Sequence, residues 1–186
     1  MKTYRYSIIV LFALLFVSLV ACSAAPASNQ AVTPTYAFDS DWFNMELTDA
    51  QTGKTFKVND FSGKVVLVET MAMWCPNCLI QAGDVRKLHE LLGDRGDFVS
   101  LSLDVDVNED QASLKEYTEQ YGFEWQFAVA PKGVARALGN LYSAEYLNPP
   151  LSPMLIIDRN GEVHHLKYGR KTSEYLLEVV EPYLAP

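Results

Sequence analysis

Two cysteines separated by two residues, Cys75-Pro76-Asn77-Cys78, stand at a junction that few folds can supply. Before them runs Val65-Val66-Leu67-Val68-Glu69-Thr70, apolar and β-branched, as in a strand buried on both faces. After them Leu79, Ala82, Val85, Leu88 and Leu92 recur at helical spacing to about Gly93. Pro76 suits the first turn of such a helix, where a missing N–H costs nothing. Cys75 then lies at a helix N-terminus, whose partial positive charge lowers a thiol pKa and stabilises the thiolate. The thiolate is the species that attacks a disulfide. Cys78, nearly one turn later, faces inward and can resolve a mixed disulfide by attacking Cys75.

The remaining pattern alternates strands with helices. Phe43 to Leu47 and Thr55 to Val58 flank a Gly-containing turn and predict a hairpin. Strands are predicted at Phe98 to Asp104, Gln126 to Ala130 and Met154 to Ile157, with helices at about Asn108 to Tyr121 and Gly133 to Leu141. Asp158-Arg159-Asn160-Gly161 is a strong turn, after which Val163 to Tyr168 pairs back and a last helix starts at Ser173. Helices between strands imply parallel pairing, and the late hairpin implies an antiparallel edge. The expected fold class is a mixed three-layer α/β sandwich with an N-terminal β-hairpin.

Composition removes several function classes. A formal net charge of −8 argues against nucleic acid, which needs clustered Lys and Arg, and against electrostatic attachment to anionic lipid. Cys22, Cys75 and Cys78 are the whole cysteine complement. They are too few for a disulfide scaffold, and without a second CxxC a zinc site made by cysteine alone is not expected.

The first residues read as a targeting segment. Lys2 and Arg5 precede an apolar run from Ile8 to Ala21, roughly 14 residues, short for a membrane span and right for a signal-peptide core. Leu19-Val20-Ala21-Cys22 resembles a bacterial lipobox, in which the cysteine carries the lipid. Ordinary cleavage after Ala21 or Ala25, or an uncleaved anchor, are the alternatives, and all three place the domain outside the cytoplasm. The expected organisation is a lipoprotein signal peptide over 1–21, a flexible Ala-, Ser-, Pro- and Thr-rich tether over 22–40, and one folded domain over 41–186.

Three further residues stand out. Glu69 sits inside the apolar strand, where a lone carboxylate is expensive and tends to stay protonated. Near Cys78 it could take or give the proton that resolution requires; a structural glutamate at a strand end is the alternative. Pro153, after Ser152, precedes the Met154 strand; a cis bond there would expose backbone for pairing with an extended substrate, and an ordinary loop proline is the alternative. Trp74 either covers the cysteine pair and offers apolar surface to a partner, or belongs to the core.

Together these features resemble the thioredoxin superfamily, in particular its TlpA/ResA-like branch of exported, membrane-tethered thiol-disulfide oxidoreductases. The resemblance runs from about Phe43 to Leu184. It is carried by Phe61-Ser62-Gly63-Lys64-Val65-Val66-Leu67-Val68, by Trp74-Cys75-Pro76-Asn77-Cys78 and by Asp158-Arg159-Asn160-Gly161. It implies a thioredoxin-like fold with an N-terminal hairpin addition, and a redox-active Cys75–Cys78 disulfide with Cys75 as exposed nucleophile and Cys78 resolving. It also implies a buried acid at Glu69, a cis-proline at Pro153, and substrate contacts through Trp74, Pro76, Ser152 and Pro153. No cofactor or metal is expected. The implied partners are exported proteins with cysteines or disulfides and a membrane thiol shuttle that supplies electrons. Ser152 stands where threonine or valine is more usual, Gly83 where relatives carry a proline, and Tyr142 to Pro150 is longer than usual.

Two other functions have weaker footing. A copper-delivery lipoprotein of the SCO-like kind would need thiolates with a distant histidine; the spacing here is CxxC, and the histidines are His89, His164 and His165. A peroxiredoxin-like peroxidase calls for threonine three residues before the reactive cysteine, where this chain has Ala72.

Overall fold

The computed structural model describes residues 41–185. The expected signal peptide, the tether and Cys22 lie outside the described residues. Five strands form one sheet in the order β5-β4-β3-β6-β7: β3 is Val65–Met71, β4 Phe98–Asp104, β5 Gln126–Val129, β6 Met154–Ile157 and β7 Val163–His165. β3, β4 and β5 run parallel, whereas β6 is antiparallel to both β3 and β7. A separate two-stranded ribbon pairs β1, Leu47–Thr48, with β2, Thr55–Phe56. The helices are α1, Pro76–Leu92; α2, Gln111–Tyr121; α3, Lys132–Leu141; and α4, Ser173–Val180. The fold is α/β and thioredoxin-like, with the small N-terminal sheet as an addition.

Every residue of β3 and of β4 is buried. Side chains alternate along a strand, so each face of β3 feeds a different core. Val65, Leu67 and Met71 pack with Val85, Leu88, Leu114, Phe127 and Leu176, under α1, α2 and α4. Val66 and Val68 pack with Trp42, Phe43, Leu101, Leu138 and Tyr146, on the α3 side. Glu69 has the parity of Leu67 and Met71, which share their core with Cys75 and Cys78.

Helix ends follow the chemistry of their caps. Asp110 Oδ1 accepts the Ser113 N–H at 2.8 Å and opens α2. Gly122 closes it in the left-handed conformation, φ 64°, which a residue without Cβ adopts freely.

The strands at both sheet margins are shorter than the pattern predicts. Phe43 belongs to a 3-10 turn, Asp41–Asn44, rather than to the first hairpin arm. Trp42 and Phe43 are adjacent and both fully buried; alternation in a strand would turn one of them outward, whereas the turn sends both inward. Val58 likewise opens a 3-10 turn, Val58–Phe61. β7 ends at His165, and the chain then leaves the sheet through Gly169, whose N–H bonds to the Leu151 carbonyl.

Phe127 is fully buried and stacks on Phe123 at 5.4 Å between ring centroids. Phe127→Ala should cost about 3–5 kcal/mol in urea unfolding of the oxidised domain. A cost under about 1 kcal/mol would mean that this core does not carry the fold.

Candidate functional site

β3 ends at Met71, and four residues later the chain reaches Cys75, the N-cap of α1. Cys75 and Cys78 form a disulfide. Cys75 Sγ accepts the Cys78 N–H at 3.2 Å, so this sulfur sits among the free N–H groups of the helix start, and Pro76 follows it in the first turn. Once reduced, a thiolate there is stabilised by the helix N-terminus. Cys78 Sγ lies 3.4 Å from the Pro149 carbonyl.

Both sulfurs are covered. Cys75 is 1% exposed and Cys78 3%, so in the disulfide form Cys75 is not the exposed atom expected from the sequence. The turn Pro149–Leu151 packs on this part of α1, and Asn77 Nδ2 donates to the Pro150 carbonyl at 3.1 Å. The long Tyr142–Pro150 segment therefore ends against the CxxC. Trp74 is 56% exposed and is not a core residue; Pro76 and Asn77 are exposed as well. Glu109 anchors its backbone: Oε2 accepts the Met73 N–H at 2.7 Å and Oε1 the Trp74 N–H at 3.3 Å. Asp106 Oδ2 accepts from the indole Nε1.

Ser152 is tied to the Pro149 carbonyl that Cys78 Sγ meets, and Pro153 follows it, but not through a cis bond: no peptide bond among the described residues is cis. The reversal is made at Ser152 instead, whose backbone is left-handed at φ 46°. That conformation is disfavoured for a non-glycine residue before proline. It is held by the Ser152 N–H on the Pro149 carbonyl and by Lys171 Nζ, which donates to the Ser152 carbonyl at 2.6 Å. Pro153 then joins the sheet by accepting the Thr70 N–H.

Glu69 is 5% exposed and stands in register with Ser102 on β4 and Met154 on β6. Ser102 Oγ donates to Glu69 Oε1, and Trp125 Nε1 donates to Ser102 Oγ at 2.9 Å. Burial pushes the Glu69 carboxyl up to about 7, against the Ser102 hydrogen bond and the Lys171 charge, which both favour the carboxylate. A carboxyl at that value exchanges protons readily near neutrality. Burial lowers Lys171 to about 8, and the Glu69 charge opposes the fall.

Sequence reasoning finds Cys75, Cys78 and Glu69 and misses Lys171, Ser102, Trp125 and Glu109. Ser102 had a signal: it is a polar residue inside the apolar run of β4. Nothing local marks Lys171. The histidines that a copper site would need are engaged elsewhere: His89 with Ser100, His164 with Asp158 and His165 with Tyr146. Asp158, Glu162 and His164 do cluster, but at the far end of β6, where Ile157 pairs with Val66.

The raised carboxyl has a consequence for stability. Glu69 keeps its proton to about 7 in the folded protein, whereas the unfolded chain releases it near 4.5. The folded form therefore loses stability as pH rises between these values, by roughly 3 kcal/mol in total. In urea unfolding over pH 4 to 8, wild type should lose roughly 3 kcal/mol more than Glu69→Gln, which keeps only the slope that other raised acids such as Asp104 contribute; parallel curves would remove the buried acid.

Residues 23–180 match the Redoxin family. Among curated proteins the chain is similar to the thiol-disulfide oxidoreductase ResA of Geobacillus kaustophilus (strain HTA426), 26% identical over 139 residues, covering 73% of this chain and 74% of that one. The ResA of Geobacillus thermodenitrificans (strain NG80-2) is 23% identical over 133 residues, 70% of this chain and 71% of its own. A thiol:disulfide interchange protein of Chlorobium tepidum TLS shares the fold, with TM-score 0.61 at 22% identity over 76% of this chain and 93% of that one. So does a secreted Mycobacterium tuberculosis disulfide oxidoreductase, with TM-score 0.59 at 14% identity over 75% and 96%. With its CxxC disulfide, Cys75–Cys78, closed at the head of α1, the chain belongs to the Redoxin family and is a thiol-disulfide oxidoreductase.

Proposed function

We propose that the protein reduces disulfides of exported proteins on the outer side of a membrane, to which Cys22 holds it through lipid. The observation that carries the reaction is the placement of Cys75 at the N-terminus of α1, with Cys78 in the same turn and the buried Glu69 carboxyl in the strand that leads to them. The Cys75 thiolate attacks a substrate disulfide; a Cys75–substrate bond forms and the substrate's other sulfur leaves as thiolate. Cys78 then gives its proton to the Glu69 carboxylate and attacks Cys75 Sγ. The second substrate sulfur leaves, and the Cys75–Cys78 disulfide remains. Two electrons from a membrane thiol shuttle restore the dithiol, and Glu69 returns the proton to Cys78.

Exposed Trp74 offers apolar surface to a partner, with Pro76 exposed beside it, whereas Ser152 and Pro153 are buried beneath the surface and do not reach a partner in the disulfide form. Placement outside the cytoplasm is supported by the apolar leader ending in Leu19-Val20-Ala21-Cys22 and by relatives described as secreted.

The direction of electron flow is tested by equilibrating the soluble domain, from about Thr35 onward, with glutathione or dithiothreitol buffers. A two-electron couple near or below about −230 mV is expected for a reductase; a couple near about −120 mV would reverse the direction. In the same preparation Cys75→Ser should abolish turnover of a protein disulfide, and retained turnover would contradict the assignment of Cys75. In cells of a lipoprotein-processing bacterium, Cys22→Ser should move the full chain from the membrane to the soluble fraction; unchanged membrane retention would contradict the lipid anchor.

A further inference from the structure

β3, β4 and β5 run parallel, so the connections that leave their C-terminal ends gather at one end of the sheet. From β3 comes the loop to Cys75, from β4 the segment Val105 to Glu109, and from β5 the turn into α3 at Lys132. The Val105 N–H on the Met71 carbonyl and the Ala130 N–H on the Asp104 carbonyl stitch the three together. Open α/β sheets present their ligand sites at this end. A cavity of about 460 Å³ opens between the second and third connections. Val105, Val129, Ala130 and Ala135 give it an apolar lining, and Val107, 83% exposed, extends that surface to solvent. Asp106 and Glu109 line it as well, and these are the acids that hold the Trp74 indole and the Met73 and Trp74 backbone N–H groups. All four of their carboxylate oxygens accept hydrogen bonds, since Asp106 Oδ1 takes the Asn108 N–H at 2.8 Å. α3 contributes Lys132 and Arg136, one turn apart and both exposed. Among the described residues neither cation enters an ion pair or a hydrogen bond. The unanswered charge in the cavity is therefore positive, on a chain whose formal net charge is −8.

We propose that this cavity docks the segment of the substrate protein that carries the attacked disulfide, and that it selects an apolar side chain beside the substrate cysteine and a carboxylate beyond it. This inference rests on the exchange with protein disulfides given above and names the kind of segment exchanged. The other flank of the pair is closed: Ser152 and Pro153 are buried, and the Pro149 carbonyl meets Cys78 Sγ. A partner whose cysteine reaches Cys75 past Trp74 lays its neighbouring residues over the cavity that the two anchors of Trp74 line. The apolar lining takes a side chain out of water. The carboxylate meets Lys132 and Arg136 at the solvent-exposed rim, where an ion pair is modest in strength, so the charge sets the choice of partner more than the affinity. The net charge of the chain by itself favours a basic partner, so a preference for an acidic segment reads out these two cations.

The test is single-turnover reduction of three self-quenched fluorescent peptide homodisulfides by the reduced full chain in mild detergent. In one peptide the cysteine is flanked on both sides by leucine and then glutamate, in the second by leucine and then lysine, and in the third by serine and then glutamate. Each rate is divided by the rate with dithiothreitol, a reductant with no docking surface, which cancels differences in peptide thiol chemistry. The leucine–glutamate peptide should react about fivefold faster or more than either of the others. Joint Lys132→Gln and Arg136→Gln substitution should abolish the preference for glutamate over lysine, and Lys132→Glu with Arg136→Glu should invert it. Val107→Ser should weaken the preference for leucine over serine. Ratios taken within one variant are independent of how much of it folds. Equal rates for all three peptides would overturn the docking site and leave the exchange reaction standing. A preference for glutamate that the cation substitutions do not move would overturn the assignment to this cavity. A cavity filled by a second copy of the chain would show as a dimer in sedimentation that the charge reversal breaks, and would overturn the proposal. Failure to reduce any of the peptides would overturn the exchange reaction itself.

Discussion

A carboxyl group in the middle of a strand that has no wet face is the constraint around which this site is arranged. β3 is buried along its whole length, between two cores and between β4 and β6. Glu69 cannot reach solvent from there, so its ionised form depends on the few polar groups its neighbours supply. Ser102 supplies a hydrogen bond from β4, and Lys171 supplies charge from the opposite end of the chain. The same strand delivers the chain to Cys75. A proton site in β3 and a disulfide at the head of α1 are therefore joined by the short connection from Met71 to Cys75.

The active-site loop is held from two sides by different chemistry. On one side Glu109 takes the Met73 and Trp74 N–H groups, and Asp106 takes the indole. These acids orient Trp74 outward while its backbone stays fixed. On the other side Asn77 and Cys78 meet the carbonyls of Pro150 and Pro149. Two successive prolines have no backbone N–H to donate and meet the motif through their carbonyls, that of Pro149 also accepting the Ser152 N–H. The covering of Cys78 Sγ follows from this second contact. A partner thiol reaching Cys75 must displace the Pro149–Leu151 turn or approach past Trp74.

Much of this was legible because its signals are local. The buried strand, Pro76 after Cys75 and the helical spacing from Leu79 onward lie within a few turns of one another and define the strand–CxxC–helix junction. Glu69 was legible as a charge in an apolar run. The alternation of strands and helices placed the sheet, and the hairpin addition survives as β1 and β2. What escaped depends on contacts between segments far apart in sequence. Lys171 looks like a surface residue before a helix until the fold brings it to Ser152 and Gln81. Phe43 looks like strand until Trp42 beside it must also be buried. At Pro153 the sequence allowed a cis bond; the left-handed Ser152, held by the Lys171 ammonium, makes the reversal instead. The exposure expected of Cys75 failed: its sulfur accepts the Cys78 N–H and is bonded to Cys78 Sγ, which Pro149 meets only in three dimensions.

The central claim is that the two cysteines are chemically unequal, Cys75 activated by the helix N-terminus and Cys78 kept as a thiol inside. The most direct measurement is the pH dependence of alkylation of the reduced domain by iodoacetamide, with each modified cysteine identified by mass spectrometry. Modification should fall on Cys75 with an apparent pKa at or below about 7, and Cys78 should lag throughout. Equal modification of both, or a Cys75 pKa near the ordinary value of about 8.5, would contradict it.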